Sequence, residues 1–294
     1  MEKISFFDQI DSNKRNSMLL VFFLSLLFIG AVWALSYTFD VGLCGPVAGF
    51  FAIIFYAVTV YYAGDRVILA LSGAKKAEKK DYPFLYNTVE GLAMAAQIPM
   101  PKLYVVQDDS PNAFATGRDP EHASVAVTTG ILSMLNRQEL EGVIAHEISH
   151  IGNYDIRFMM IAVVFVGAIG ILADIGRRTL FYGGGRNRKG GGFLLIISLL
   201  FMILAPIAAY LIKMAISRQR EYLADANAAR LTRYPEGLAS ALEKITGAAI
   251  PTKNADDVTA SLYISNPFPT KKSLTSFLST HPDPKDRVKK LRSM

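Results

Sequence analysis

Four long apolar runs constrain this chain more than any other feature. They cover about residues 18–39, 44–63, 158–176 and 193–212. A helix needs about 20 apolar residues to cross a bilayer, so each run is long enough to do so. The first run follows two basic residues as a signal peptide would, but it is too long and lacks a convincing cleavage site. The sequence therefore predicts a multi-pass membrane protein, in agreement with its 51% hydrophobic content.

The apolar runs divide the chain into four parts. Residues 1–66 form a transmembrane hairpin, 67–157 a first cytosolic part, 158–213 a second apolar hairpin, and 214–294 a second cytosolic part. Basic residues flank the first hairpin on both outer sides: Lys3, Lys14 and Arg15 before it, and Arg66, Lys75, Lys76, Lys79 and Lys80 after it. By the positive-inside rule both flanks lie in the cytoplasm, so we expect a cytoplasmic (inner) membrane protein whose parts on either side of this hairpin face the cytosol.

The second apolar hairpin is less easily placed. If both runs of this hairpin cross the bilayer, its glycine-rich connector lies on the side opposite the cytoplasm. The connector is basic, which contradicts the positive-inside rule; its basic residues are Arg177, Arg178, Arg186, Arg188 and Lys189. Either the hairpin crosses the bilayer despite these charges, or it inserts only partly. The net charge of +6 lies beside apolar runs and not in one stripe. This pattern indicates a lipid bilayer as partner and no nucleic acid.

The segments between the runs predict a mainly α fold with a small antiparallel β meander. Short strands are expected at 103–106, 112–116 and 124–128, separated by turn-forming residues. Asn136 and Glu139 form a capping box, so a helix begins near residue 137. No proline interrupts it until well beyond residue 150, so it could run directly into the third apolar segment.

This helix carries a histidine pair, His146 and His150, with Glu147 directly after the first histidine. At 100° per residue the two imidazoles project within about 40° of each other, one turn apart. They can share a Zn²⁺ ion, and Glu147 is then placed as a general base beside it. The alternative is an amphipathic helix that carries two histidines by chance. Zinc-dependent hydrolysis is the favoured hypothesis.

A catalytic zinc ion usually has three protein ligands. Asn153 and Ile156 exclude an extended three-histidine motif, and Asp155 is awkwardly placed if the helix continues. Glu221 on a second helix is the favoured third ligand. Asp225, one turn later, can accept the free ring N–H of a ligating histidine and fix its orientation. The alternative for this pair is an exposed charged helix with no metal role.

These motifs together resemble the HtpX-type membrane zinc metallopeptidases, gluzincins related to the CaaX prenyl peptidases and the mitochondrial peptidase OMA. His-Glu-Ile-Ser-His is followed by Arg-Gln-Arg-Glu-Tyr-Leu-Ala-Asp, and the resemblance covers nearly the whole chain. Two further motifs match: a substrate strand, Asn112, Ala113, Phe114 and Ala115, and a C-terminal His-Pro with an arginine, His281, Pro282 and Arg287.

The resemblance implies an ATP-independent zinc metalloendopeptidase of membrane quality control and stress response. It would cleave misfolded or damaged membrane proteins, with other quality-control proteins as possible partners. An extended substrate could add to the 112–115 strand through main-chain hydrogen bonds; an ordinary edge strand is the alternative. His281 either donates to the oxyanion or holds the tail near the site. Arg287 is expected to form a structural ion pair with Asp225 or another acid, and His122 to lie at the surface.

Two other functions remain open at this point. A CaaX-type prenyl-peptide processing peptidase ranks lower, because those relatives enclose their site within more spans than four runs supply. A non-proteolytic membrane scaffold or holdase would be expected to have a broken motif set, and here the set is intact.

Overall fold

The computed structural model describes residues 11–19, 42–167, 218–248, 250–252, 262–265 and 282–294, with isolated helical positions between 21 and 33. Several predicted segments lie outside the described residues: the run 193–212, the glycine-rich connector, most of the run 18–39 and the end of the third run.

The strands are β1 Ala74–Lys76, β2 Lys102–Val106, β3 Ala113–Gly117 and β4 Ala123–Thr128. The helices are α1 Cys44–Leu71, α2 Pro83–Ala95, α3 Thr129–Met134, α4 Arg137–Gly152, α5 Arg218–Thr232, α6 Pro235–Ala248 and α7 Pro284–Leu291. Two further helical stretches, 11–19 and 155–167, are identified below by their numbers.

The four strands form one mixed sheet in the order β1-β2-β4-β3. The three predicted strands are present, but the predicted antiparallel meander is wrong: β2 and β4 pair in parallel, and β1 is an additional strand. A meander pairs each strand with the next one along the chain. Here β4 instead inserts between β2 and β3, and it is buried at every position, as a central strand should be.

The sheet separates two hydrophobic clusters. Ala113 and Ala115 belong to the cluster that contains the inner faces of α2, α4, α6 and α7, whereas Phe114 belongs to the cluster with the end of α1 and the stretch 155–167. This division follows from the alternation of side chains along a strand. One face of the sheet therefore supports the helix with the histidine pair, and the other supports the apolar helices.

Helix α4 begins and ends at identifiable signals. The capping box predicted from Asn136 and Glu139 is present. The helix ends at Gly152, and Tyr154 adopts a left-handed conformation with φ of 60° before a new helix begins at 155. The option of one continuous helix into the third apolar run is therefore not realised. The chain turns at Asn153–Tyr154, which gives Asp155 a direction that a straight helix would not.

Helix α1 is the one helix within the described residues that is long and apolar enough to cross a membrane. It is 28 residues long and extends the predicted 44–63 span to Leu71. Its first part is exposed, with Phe55 74% accessible, whereas Ile68 near its end is fully buried under the sheet. The stretch 155–167 packs against it through Tyr56, whose hydroxyl donates to the carbonyl of Val164. Helix α1 thus joins an exposed apolar stem to the folded domain.

Candidate metal centre

Helices α4 and α5 cross in close contact and bring the predicted site residues together. Ala224 and Ala228 on α5 are fully buried, and such small side chains let the two helix backbones approach each other. Glu221 and Asp225 lie one turn apart on α5 and are both buried. The alternative of an exposed charged face on α5 is therefore wrong for these two residues.

Helix α4 also makes a close backbone contact with α6. A Cβ atom added at Gly142 would lie 2.6 Å from the backbone nitrogen of Leu238, and one added at Gly237 would lie 2.6 Å from the carbonyl oxygen of Gln138. Only glycine fits at both positions without moving a backbone. Helix α6 therefore supports the same helix that carries the histidine pair.

Three potential metal ligands converge where α4 faces α5. His146 Nε2 and His150 Nε2 lie 3.2 Å apart; Glu221 Oε2 lies 3.8 Å from the first and Glu221 Oε1 3.5 Å from the second. Zinc with bonds of about 2.0–2.1 Å in a tetrahedron holds its ligand atoms about 3.4 Å apart. All three residues are buried, and their ligand atoms fit that spacing. Two imidazoles and one carboxylate are also the donor set of many catalytic zinc sites.

Each histidine of the pair contacts a separate aspartate through its other ring nitrogen. Asp225 Oδ1 lies 3.0 Å from His146 Nδ1, and Asp155 Oδ2 lies 3.0 Å from His150 Nδ1. Such a carboxylate fixes the ring orientation and directs Nε2 toward the metal position. Asp155, considered above as an awkward third ligand, is instead a neighbour of His150, and this role was missed. The Gly152–Asn153 pair is the signal that could have found it, because glycine and asparagine often end helices.

Arg287 closes the site from α7. Its Nε and Nη2 donate to the two carboxylate oxygens of Asp225 at 2.9 and 2.6 Å, and its Nη1 lies 3.2 Å from Glu221 Oε2. The predicted ion pair of Arg287 is therefore present. Arg287 as a whole is 1% accessible. Burial alone would lower the pKa of Arg287, but the two acids raise it, so the group remains charged.

The electrostatics of the site suit proton transfer. Burial raises the pKa of Glu147, which is completely enclosed, and the nearby histidines only partly oppose this. Burial alone would lower the pKa of His150, but hydrogen bonds to Asp155 and Glu221 raise it well above its ordinary value. A metal ion therefore competes with a proton for His150, so metal binding is expected to weaken at low pH.

The predicted substrate strand is β3 with Asn112 before it. It is an edge strand of the described sheet, and Asn112 to Ala115 are all buried. The segment 262–265 covers the first part of its free edge: Ile264 N–H donates to the carbonyl of Ala113, and the Asn112 side chain pairs with the backbone of Ser265. Because carbonyl directions alternate along a strand, Ala115 and Gly117 also face this edge.

The predictions for the two other histidines, His281 and His122, have different outcomes. His281 lies outside the described residues. His122 lies in an exposed turn, where its Nδ1 contacts Asp119, as expected for a surface residue. Within the part of the chain that the structure describes, His146, His150 and Glu221 form the one group that could hold a metal ion.

Comparison with known proteins decides the family. Residues 80–294 match the model of peptidase family M48. The chain belongs to this family. The resemblance noted from the four sequence motifs is thereby confirmed, and this M48 peptidase is a protease by family.

Curated relatives of this M48 peptidase extend over its whole length. A protease HtpX homolog of Dictyoglomus thermophilum is 49% identical over 294 residues, which is 100% of this chain and 96% of that protein. A protease HtpX homolog of Streptococcus gordonii is 45% identical over 98% of this chain and 99% of that protein. The crystal structure of S. mikatae Ste24p matches with a TM-score of 0.51 and 18% identity, over 95% of this chain and 66% of that one. At that identity the likeness shows the fold alone.

Proposed function

We propose that this M48 peptidase is a zinc-dependent membrane endopeptidase that cleaves misfolded or damaged membrane proteins at the cytosolic membrane face. The observation that carries the proposal is the buried group of His146, His150 and Glu221, with ligand atoms at tetrahedral spacing beside a buried Glu147. The complete motif set disfavours a scaffold or holdase.

Zinc bound by these three residues supplies Lewis-acid chemistry, acidifying water and polarising a peptide carbonyl. Glu147 takes a proton from the attacking water and returns it to the leaving amine, and its raised pKa brings it nearer to neutral pH for both steps. Asp225 and Asp155 hold the two imidazoles in orientation. Arg287 balances the buried charge of Asp225 and Glu221.

An extended peptide is the substrate form that we expect at the edge of the sheet. By the alternation along β3, the carbonyl and N–H groups of Ala115 face the part of the β3 edge that follows the contact of Ala113 with Ile264. A peptide that adds there gains main-chain hydrogen bonds that do not depend on its sequence. Such recognition favours unfolded segments over folded proteins, which suits a role in quality control.

The membrane location is supported by the aromatic and cationic groups at one level of the apolar helices. Tyr61 and Tyr62 near the end of the exposed part of α1 contact Arg118, whose guanidinium carbon lies 4.9 Å from the Tyr62 ring. Arg157, at the start of the stretch 155–167, lies against Tyr61 as well. Tyrosine and arginine are common at the bilayer interface. We infer from this level, together with the basic flanks of the first hairpin, that the metal centre faces the cytosol.

Glu147→Gln is the sharpest test, because glutamine keeps the shape of the side chain but cannot act as a base. The purified full-length variant is expected to retain zinc and to lose casein cleavage by at least about a hundredfold, the scale of general-base catalysis. Glu141→Gln, on the same helix, is the matched control and is expected to cleave normally. Retained proteolysis in Glu147→Gln would refute the assignment of the base.

A further inference from the structure

The N-terminal helical stretch 11–19 contacts the turn that ends α4. Asn13 is buried, and its side-chain amide donates two hydrogen bonds: one to the carbonyl of Asn153 at 2.9 Å and one to Asp155 Oδ1 at 2.8 Å. The next residue, Lys14, places its ammonium 4.4 Å from the centre of the Tyr154 ring. Three consecutive residues of the turn are thus held from one place on the N-terminal stretch.

This turn needs an external partner. Tyr154 is left-handed, a conformation that costs a non-glycine residue on the order of 1 kcal/mol or more. The turn also decides where Asp155 points, and the second carboxylate oxygen of Asp155 receives the hydrogen bond of His150 Nδ1 at 3.0 Å. A chain of contacts therefore runs from Asn13 through Asp155 to one imidazole of the metal centre.

We propose that Asn13 is a positioning residue of the metal centre, holding Asp155 in the orientation in which it fixes His150. The inference rests on the proposed function, since it assigns Asn13 a role toward a zinc ion at His150. The N-terminal stretch 11–19 then has a structural role at the metal centre in addition to its position before the first apolar run. Displacing this stretch loosens a metal ligand, so the state of the membrane-proximal N-terminus is coupled to the site.

Asn13 suits this role because of what it donates. A buried carboxylate that accepts one hydrogen bond from histidine still has acceptor capacity to satisfy. The amide of Asn13 supplies a neutral donor to the other oxygen of Asp155, so the orientation is fixed without adding a charge. Among the described residues, Arg220 of α5 also approaches the same oxygen, but its Nη1 lies 3.8 Å away, too far for a close hydrogen bond.

The test is the zinc dissociation constant of the full-length protein in detergent, measured by competition with a chelator. Asn13→Leu keeps the branched shape of the side chain and removes both donors. Its zinc dissociation constant is expected to rise about tenfold, the lower end for losing an outer partner of a metal ligand. Asn16→Leu is the matched control, because Asn16 lies on the same stretch and, among the described residues, its amide contacts Ser12 and not the turn at 153–155. Its zinc affinity is expected to equal that of the wild type.

A double-substitution cycle separates positioning from general damage to the fold. Asp155→Ala alone should weaken zinc binding, and adding Asn13→Leu should weaken it no further, because Asn13 acts through Asp155. Equal zinc affinity of Asn13→Leu and the wild type, or additive effects in the cycle, would overturn the inference while leaving the proposed function intact. A wild-type protein that binds no zinc would overturn both.

Discussion

The charge balance of the site depends on Arg287, whose guanidinium pairs with the buried acids Asp225 and Glu221. Of the buried acids of the site, Glu147, Glu221 and Asp225 are those that act on Arg287 electrostatically. An unpaired buried charge costs several kcal/mol, so the acids need a cation close by. Arg287 meets two of them with its planar fork, a geometry that lysine cannot reproduce.

Replacing Arg287 by methionine is expected to lower the stability of the metal-free protein by about 3–5 kcal/mol, because Asp225 and Glu221 lose their buried partner. The measurement is the melting temperature in the presence of a chelator. Arg292→Met is the matched control directly after the same helix: Arg292 pairs with Glu236 and Glu243 on the exposed surface. A melting temperature as low in Arg292→Met as in Arg287→Met would contradict this account.

The site residues that sequence alone could identify are those with a chemical signature. His146, His150, Glu221 and Asp225 each carry ligand or acceptor chemistry at helical spacing, and the structure brings them together. The contact of Asp155 with His150 was missed, because the direction of Asp155 depends on a left-handed tyrosine that no helical pattern indicates. Asn13 has no local signature, since its contact spans 142 positions of the chain.

At the scale of elements, α4 is anchored at its first turn. Glu139 accepts from the backbone N–H of Asn136, from Ser240 and from Lys244, so one carboxylate caps α4 and ties it to α6. Burial alone would raise the pKa of Glu139, but these hydrogen bonds together lower it. The ionised form is therefore favoured in the folded state.

Glu139→Gln keeps a capping side chain but removes the charge that faces Lys244, so a loss of about 1–2 kcal/mol is expected at neutral pH. Since the folded-state pKa is lowered, the advantage of glutamate is complete above the unfolded value of about 4.3 and fades as the pH falls through the folded value. Melting temperatures of the wild type and Glu139→Gln from pH 7 to 3 check this. A difference that is constant over that range would be inconsistent with a charge effect.

The order of the strands shows why elements are easier to predict than their pairing. The polarity pattern and turn residues located β2, β3 and β4, because those signals are local. The insertion of β4 between β2 and β3 depends on which faces the helices cover, and no local pattern contains that information. The boundary of α1 was underestimated for a related reason: its last turns are buried by the sheet and not by lipid.

At the scale of the whole molecule, the proposed topology places the start and the end of α1 on opposite sides of the bilayer. Cys44 is the only cysteine of the chain; it is exposed and lies at the first residue of α1. A membrane-impermeant maleimide should therefore label it in right-side-out vesicles and not in sealed inside-out vesicles. Met94→Cys in a Cys44→Ser background is the matched probe on the exposed face of α2, and the opposite pattern is expected. Labelling of both cysteines from one side would contradict the topology.

The central claim, that this chain cleaves peptide bonds with a zinc ion held by His146, His150 and Glu221, is tested most directly by its zinc content. Metal analysis and casein cleavage are measured on one preparation of the full-length protein in detergent. We expect one zinc ion per chain in the wild type, the loss of zinc and cleavage together in Glu221→Gln, and recovery of cleavage when zinc is returned to chelator-treated wild type. Cleavage by a preparation that contains no zinc, or a full zinc content in Glu221→Gln, would contradict the account.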